Sequence, residues 1–121
     1  MKEISIFVAH ERLFEVTDIL HKYKVGGITF FDINGTGRTK HEPMPEEVRA
    51  YMTGRTIVPE FVRRTKVEVV VPDTLAKQII NDILNSLSPG STSHGMIFVK
   101  DVSEAYEIGT QKSGEAILLP K

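Results

Sequence analysis

Alternating apolar and polar positions begin the chain and predict a strand. Ile4, Ile6 and Val8 alternate with polar or aromatic neighbours, which is typical of a strand with at least one buried face. From Glu11 to Lys24 the apolar residues recur every three or four positions, so this stretch is predicted to be a helix. The paired glycines Gly26-Gly27 are expected to form the left-handed turn that ends it.

The same succession of patterns recurs later in the chain. A β-branched and aromatic run from Ile28 to Ile33 predicts a second strand, and Lys66 to Val71 predicts a third. Pro72 closes that strand, and Asp73 is expected to begin a second helix. The apolar residues of this helix again fall at helical spacing, at Ala76, Ile79, Ile80, Ile83, Leu84 and Leu87. A fourth strand is predicted from Gly95 to Val102.

This order of elements predicts one α+β domain over residues 1–121, a ferredoxin-like βαββαβ sandwich. Its antiparallel sheet should carry both helices on one face. The other face would be left uncovered. Side chains for the two faces would come from Phe7, Thr29 and Phe31 and from the Val67/Val69/Val71 or Glu68/Val70 sets of the third strand. Because an exposed and partly apolar sheet face is usually an association surface, we expect a homo-oligomer.

A long stretch without periodicity separates the second strand from the third. It runs from Asn34 to about Arg63 and is roughly thirty residues long, whereas compact domains usually join strands with far fewer. Connections of this length are either functional or disordered. The position between two well-formed strands favours a functional loop, and a disordered linker is the alternative.

Composition and charge narrow the class of protein. Fifteen basic and sixteen acidic residues give a net charge of −1, so charge does not indicate a nucleic-acid or membrane partner. Cysteine is absent, which excludes disulfides, thiolate catalysis and zinc–sulfur sites and fits a cytoplasmic location. No apolar run approaches the roughly 20 residues of a membrane-spanning helix. The histidines lack metal-ligand spacing and no serine lies in a nucleophile elbow, so neither a metal site nor an enzyme is expected.

Two groups of residues near the long loop have the chemistry to bind an anion. The segment Gly35-Thr36-Gly37-Arg38-Thr39-Lys40 combines cations with glycines, which let the backbone approach an anion closely. It lacks the dinucleotide and P-loop spacings, and a flexible hairpin start is the alternative. Arg64 and Lys66 should point to one side of the third strand, where they can hold a carboxylate or phosphate. A solvated strand edge is the alternative there.

Together these stretches resemble the PII family of nitrogen-regulatory proteins over nearly the whole chain. The resemblance rests on Gly27-Ile28-Thr29, Gly35-x-Gly37-Arg38-x-Lys40, Tyr51-Met52, Lys66 to Asp73, and Gly95 to Val102. It implies a homotrimer whose sheets line a central core, with ligand clefts between subunits. The segment from about 36 to 63 is similar to the family's T-loop, which docks onto a target such as an ammonium transporter or a nitrogen-metabolism enzyme or regulator.

The resemblance also implies where ligands bind. In the family ATP or ADP occupies the cleft, and 2-oxoglutarate binds beside Mg-ATP at the base of the T-loop. Arg64 stands where the family has a lysine that pairs with the 2-oxoglutarate carboxylate. The full set of expected ligand-binding residues is Thr29, Gly37, Arg38, Thr39, Lys40, Arg64, Lys66, Glu68 and Gly95, with Val70 beside them. Tyr51 aligns with a tyrosine that some members uridylylate, and a plain contact residue is the alternative.

Three phosphate-binding cations of the family are missing from this chain. Met96 replaces a lysine, and Glu107 and Gly109 replace two arginines. Because a charge-assisted hydrogen bond is typically worth roughly 1.5–3 kcal/mol, we expect ATP binding in the usual mode to be weak or absent. The sequence therefore predicts a regulator that senses a small carboxylate, with 2-oxoglutarate favoured and bicarbonate as the other candidate. An adenine-nucleotide-binding PII-like protein and an assembly module without ligand sensing are the alternatives.

Overall fold

The computed structural model describes residues 1–35, 62–87 and 95–118. Over these residues the predicted order of strands and helices is confirmed. Two short 3-10 helices, His10–Arg12 and Glu115–Leu118, add to it. The main elements are β1 (Lys2–Ala9), α1 (Leu13–Lys22), β2 (Thr29–Gly35), β3 (Val62–Val71), α2 (Asp73–Leu87) and β4 (Met96–Asp101).

The described strands form one antiparallel sheet in the order β2-β3-β1-β4. Strand β1 lies in the middle and pairs with β3 on one side and β4 on the other. Strand β2 is an edge strand that pairs with β3, from Thr29 opposite Glu68 to Gly35 opposite Val62. This arrangement is the ferredoxin-like sandwich that the sequence predicts.

Alternation along β1 and β3 directs one set of side chains beneath the two helices. Each fully buried Val, Leu or Ile contributes roughly 1.5–3 kcal/mol, so this single layer supplies most of the stabilisation. Because helix and strand residues share one core, both helices cover the same face of the sheet, as predicted. The core consists of Ile4, Ile6, Val8, Leu13, Val16, Leu20, Val67, Val69, Val71, Ala76, Ile79 and Ile83.

The opposite face of the sheet, here called the open face, is partly apolar. Phe31, Met96 and Phe98 are 40%, 43% and 49% exposed. Phe7 meets Phe98 edge to face, with the ring centroids 5.7 Å apart and the planes at 87°. The expected apolar face without helices is therefore confirmed for the described chain.

The boundary between β3 and the long loop differs from the prediction. Strand β3 begins at Val62 and not at Lys66, because antiparallel pairing with β2 continues to the end of that strand. Each added pair satisfies backbone N–H and C=O groups that would otherwise need other partners. Val62 and Arg63, at the end of the segment of about 36–63, therefore belong to β3.

The turn after α1 was also predicted wrongly. The α-helix ends at Lys22, and Lys24 adopts the left-handed conformation with φ 55°, so the paired glycines do not supply it. Gly26 has a different role, because its N–H donates to the carbonyl oxygen of Leu118 at 2.9 Å. A Cβ atom at Gly26 would lie 3.0 Å from that oxygen, so the close approach of the C-terminal segment favours glycine.

Two further predictions need correction. Helical spacing puts Leu84 on the same side of α2 as the other apolar residues, but it is 52% exposed, since the buried stripe is centred on Ile79 and Ile83. Strand β4 is shorter than the predicted Gly95 to Val102. Beyond it, Tyr106 pairs with Ser113 in a small hairpin, which the sequence pattern did not indicate. Among the described residues, no helix is both long and apolar enough to cross a membrane.

Candidate ligand-binding site

A cavity of about 220 Å³ opens beside the paired strands β2 and β3. Its wall combines side chains of β1, β2 and β3 with the turn after α1 and the final 3-10 helix. Thr29, Glu68 and Val70 line it, and all three were predicted to lie at the ligand pocket. Pockets for drug-sized ligands are usually larger, roughly 300–1,000 Å³, so this one suits a smaller molecule or part of a larger one.

The sheet register brings Thr29 and Glu68 together. They are directly opposite each other in the β2–β3 ladder. Since side chains alternate between the two faces of a strand and the odd-numbered valines of β3 are buried, Glu68 and Val70 point to the open face. The structure therefore places these predicted residues at one wall of one cavity.

Lys66 is held by three groups on the open face. Its Nζ lies 2.8 Å from Glu68 Oε1. The same ammonium lies 5.5 Å from the ring centroid of Phe7 and 5.5 Å from that of Phe31, on the two neighbouring strands. An ammonium over an aromatic face is attracted by the ring quadrupole. Lys66 is thus engaged within the chain.

Arg64 lies closer to the end of the β2–β3 ladder. It is opposite Ile33 on β2 and Ala9 on β1, and its side chain is partly buried. Only Arg63 separates it from Val62, where the described part of β3 begins. Arg64 and Lys66 lie on the same face, as predicted. Arg64 is the one nearer to the point at which the chain leaves the sheet.

Gly95 and the three substituted positions lie on other elements. Gly95 is exposed and packs its backbone against Phe7. Met96 is an exposed apolar side chain opposite Phe7 in the β1–β4 ladder. Glu107 accepts a hydrogen bond from the Thr110 hydroxyl at 2.8 Å, so its carboxylate is hydrogen-bonded within its own turn. Gly109 lies in that same turn.

The remaining predicted site residues lie outside the described residues. They are Gly37, Arg38, Thr39, Lys40 and the candidate modification site Tyr51. Their assignment stays a prediction.

Sequence reasoning missed two parts of the cavity wall. Glu3 lines it from β1, and the strand alternation could have placed Glu3 on the open face with Glu68. Ile117 and Leu118 line it from the last 3-10 helix. No pattern in the tail indicated that this segment returns to Gly26, because the contact joins residues far apart in the chain.

A polar cluster at the other face of the same strands was also missed. His10 Nδ1 lies 3.0 Å from Thr65 Oγ1 and 3.2 Å from Asp32 Oδ1. The Thr65 hydroxyl donates to Asp32 at 3.2 Å and is fully buried. The cluster satisfies a buried hydroxyl and links β2 and β3 to the start of the first helix.

Two hydrogen-bonded pairs of the described residues, both away from the cavity, have shifted pKa values. The hydrogen bond from the Lys2 ammonium to Asp101 raises the pKa of Lys2 and lowers that of Asp101. The hydrogen bond from the Tyr23 hydroxyl to Asp82 raises the pKa of Tyr23 and lowers that of Asp82. None of these four residues lines the cavity. In the described part of the chain, no three His, Cys, Asp or Glu side chains are placed to hold a metal ion.

Comparison with known proteins identifies the family. The family model described as nitrogen regulatory protein P-II matches residues 1–112. The chain is 34% identical to the nitrogen regulatory protein P-II of Azospirillum brasilense, over 97% of this chain and 100% of that protein. The chain belongs to the P-II family. The P-II protein of Haemophilus influenzae is 31% identical over 95% of this chain and 97% of its own. The P-II 1 protein of Escherichia coli K12 is 27% identical over 98% and 100%.

Membership of the P-II family supports a role as a regulator in signal transduction. The P-II family match also agrees with the antiparallel sheet and the two helices on one face.

Proposed function

We propose that the chain is a P-II signal transduction protein that senses a small carboxylate and acts on a target protein through the segment between β2 and β3. The pairing of Gly35 with Val62 at the end of the β2–β3 ladder supports this proposal. Both ends of the segment leave the sheet at neighbouring positions. A ligand that contacts the end of this ladder can therefore bias both ends of the segment at once.

The carboxylate is assigned to Arg64, with 2-oxoglutarate favoured and bicarbonate as the other candidate. Arg64 lies near that ladder end, and a guanidinium binds a carboxylate through two parallel hydrogen bonds. Lys66 already contacts Glu68, so it contributes a weaker share. Gly37, Arg38, Thr39 and Lys40 would complete the site from the loop side.

Calorimetric titration with 2-oxoglutarate and with bicarbonate tests this assignment. Arg64→Ala should weaken binding by roughly 10- to 150-fold, since a hydrogen bond to a charged group is worth about 1.5–3 kcal/mol. Arg64→Lys keeps the positive charge but cannot form the two parallel hydrogen bonds, so its affinity should lie between that of Arg64→Ala and that of the wild-type protein. Lys77→Ala, an exposed lysine of α2, is the matched control. Unchanged binding in Arg64→Ala would refute the carboxylate assignment.

ATP binding in the family's usual mode is proposed to be weak or absent. This is supported by an apolar Met96, a Glu107 carboxylate held by Thr110, and a glycine at position 109. The main alternative is an adenine-nucleotide-binding regulator, and the shared wall of Thr29, Glu68 and Val70 favours it. Micromolar binding of Mg-ATP in calorimetry would establish that alternative.

The proposed assembly is a homotrimer joined through the open face. Exposed Phe31, Met96 and Phe98 on that face support association, because contiguous exposed apolar surface is usually an interaction site. Light scattering coupled to gel filtration measures the subunit number. A second alternative is an assembly module without ligand sensing, which predicts a trimer whose melting temperature no carboxylate or nucleotide raises.

The target is proposed to be an ammonium transporter or a nitrogen-metabolism enzyme or regulator, bound in the cytoplasm. Tyr51 lies in the segment that would make this contact and is the proposed modification site. Co-purification with such a target from the native cytoplasm should be lost when residues 41–56 are replaced by a short glycine–serine linker. Retained co-purification would show that another surface binds the target.

A further inference from the structure

A cluster of three polar side chains lies on the side of the sheet that the helices cover. His10 follows β1 directly, and Asp32 is opposite Thr65 in the β2–β3 ladder. Thr65 alternates in phase with the buried Val67 and Val69 of β3, so it faces the helices and not the open face. The proposed homotrimer is joined through the open face, so this cluster lies on the opposite side of the sheet from that interface.

The hydrogen bonds of the cluster determine which nitrogen of His10 carries the proton. His10 Nδ1 lies 3.0 Å from Thr65 Oγ1 and 3.2 Å from Asp32 Oδ1. The Thr65 hydroxyl donates its one proton to Asp32, so its oxygen can only accept from His10. An ionised carboxylate is also an acceptor. Because both partners of Nδ1 accept, Nδ1 must carry the proton of the neutral ring, and the lone pair is on Nε2.

The Nε2 nitrogen of His10 is available to an external reactant. The His10 side chain is 53% exposed, and its two polar contacts are both made by Nδ1. A neutral imidazole with a free lone pair is a nucleophile, and histidine forms covalent intermediates in enzymes. A carboxylate at Nδ1 orients the ring and stabilises the positive charge that develops when Nε2 forms a bond. Asp32 is placed to do both.

We propose that His10 is a modification site that accepts a phosphoryl group on Nε2 from a phosphoramidate donor. The Nε2 lone pair attacks phosphorus and forms the new N–P bond. The P–N bond of the donor, whose nitrogen is already protonated, breaks, and its electron pair leaves on the amine. The ring becomes a cation that keeps its Nδ1 proton, so no base is required. The negative phosphoryl group balances this positive charge, whereas an acyl group at Nε2 would leave it uncompensated.

The site lies at the base of the segment between β2 and β3. Asp32 and Thr65 are close to Gly35 and Val62, where β2 ends and β3 begins. A phosphoryl group on His10 would therefore add negative charge close to the point at which both ends of the segment leave the sheet. The inference depends on the cluster alone, so it holds whichever effector the chain senses.

Reaction with phosphoramidate at about pH 8, where histidine side chains are ordinarily neutral, tests the proposal. Mass spectrometry after digestion at neutral pH gives the rate of phosphorylation of each histidine. His10 should react roughly tenfold faster or more than His21, an exposed histidine of α1, because Asp32 stabilises the charge that forms on the ring. Nuclear magnetic resonance of protein with nitrogen-15-labelled histidine should place the phosphorus on Nε2 of His10 and the proton on Nδ1.

Asp32→Asn separates the role of the carboxylate from simple exposure of the histidine. The variant keeps the size of the side chain and loses its charge, so the rate at His10 should fall towards that of His21. Asp18→Asn removes an equal charge from α1 and should leave the rate at His10 unchanged. Equal rates at the two histidines of the wild-type protein, phosphorus on Nδ1 of His10, or an unchanged rate in Asp32→Asn would each overturn the proposal. Far-ultraviolet circular dichroism of both variants verifies folding.

Discussion

The backbone of Gly95 lies against the carbonyl oxygen of Phe7, so close that a Cβ atom at Gly95 would be 2.8 Å from that oxygen. The oxygen belongs to the central strand β1 and cannot move without disturbing two ladders. Gly95→Ala should therefore destabilise the protein by about 1–3 kcal/mol, the usual cost of forcing extra atoms into a packed place. Urea unfolding measures the loss.

Gly109→Ala is the matched control for this variant. A Cβ atom at Gly109 meets nothing within 4 Å, so the change should stay within about 0.5 kcal/mol. Equal losses in the two variants would show that Gly95 is not constrained by Phe7. Gly95 was predicted to be a ligand-binding residue, and its contact with β1 gives a structural reason for glycine that needs no ligand.

The register of α2 gives a second prediction. Ile79 is fully buried beneath the sheet, whereas Leu84 on the same helix is half exposed. Ile79→Ala should cost about 2–5 kcal/mol, because the removed atoms leave a cavity in a close-packed core. Leu84→Ala should cost about 0.5 kcal/mol or less. A loss in Leu84→Ala as large as that in Ile79→Ala would indicate that Leu84 is buried, as its spacing in the sequence suggests.

The order of strands and helices and the apolar faces that form the core could be predicted because they follow from short-range periodicity. Alternation in β1 and β3 and helical spacing in α1 and α2 are visible without knowing any partner. The same alternation placed Arg64 and Lys66 on one face. What could not be predicted depends on register between distant segments, such as the two rings around Lys66. Those rings come from β1 and β2, and no local pattern fixes which residues of these strands are opposite Lys66.

The ends of elements were the weakest part of the prediction for a related reason. Strand β3 extends to Val62 because β2 offers backbone partners as far as Gly35. The contact of Gly26 with Leu118 likewise depends on the path of the tail. In both places the sequence showed glycines and polar residues, which are also typical of a loop, so tertiary pairing decided the outcome.

The link between Tyr23 and Asp82 predicts a pH dependence of stability. The hydrogen bond from Tyr23 lowers the pKa of Asp82, so its stabilisation is present above the carboxyl's ordinary pKa and is lost as pH falls through the lowered value. The same bond raises the pKa of Tyr23, so that stabilisation is present below the phenol's ordinary pKa and is lost as pH rises through the raised value.

Tyr23→Phe should therefore lower the melting temperature most in the neutral range, between roughly pH 4 and pH 10. The difference from wild type should shrink at both extremes. Lys22 lies 3.6 Å from Asp82 and is unaffected, so part of the acid sensitivity should remain in the variant. Thermal unfolding of both proteins across this pH range measures the difference in melting temperature. A difference that is constant with pH would mean that the lost contact is not this hydrogen bond.

Restoring one cation tests why this chain should bind triphosphate weakly. Met96→Lys places an ammonium on an exposed position of β4, where the resemblance described above implies a phosphate-binding lysine. Mg-ATP affinity should rise by roughly 10- to 150-fold, the worth of one hydrogen bond to a charged group. Adding Glu107→Arg and Gly109→Arg should raise the affinity for Mg-ATP further, by less than the product of the single effects because neighbouring charges are not additive.

Val99→Lys adds the same charge to the opposite side of the same strand and should leave the affinity unchanged. If Val99→Lys improved ATP binding as much as Met96→Lys, net charge alone would account for the gain. If neither variant bound ATP more tightly, the missing cation at position 96 would not be what limits the affinity for ATP.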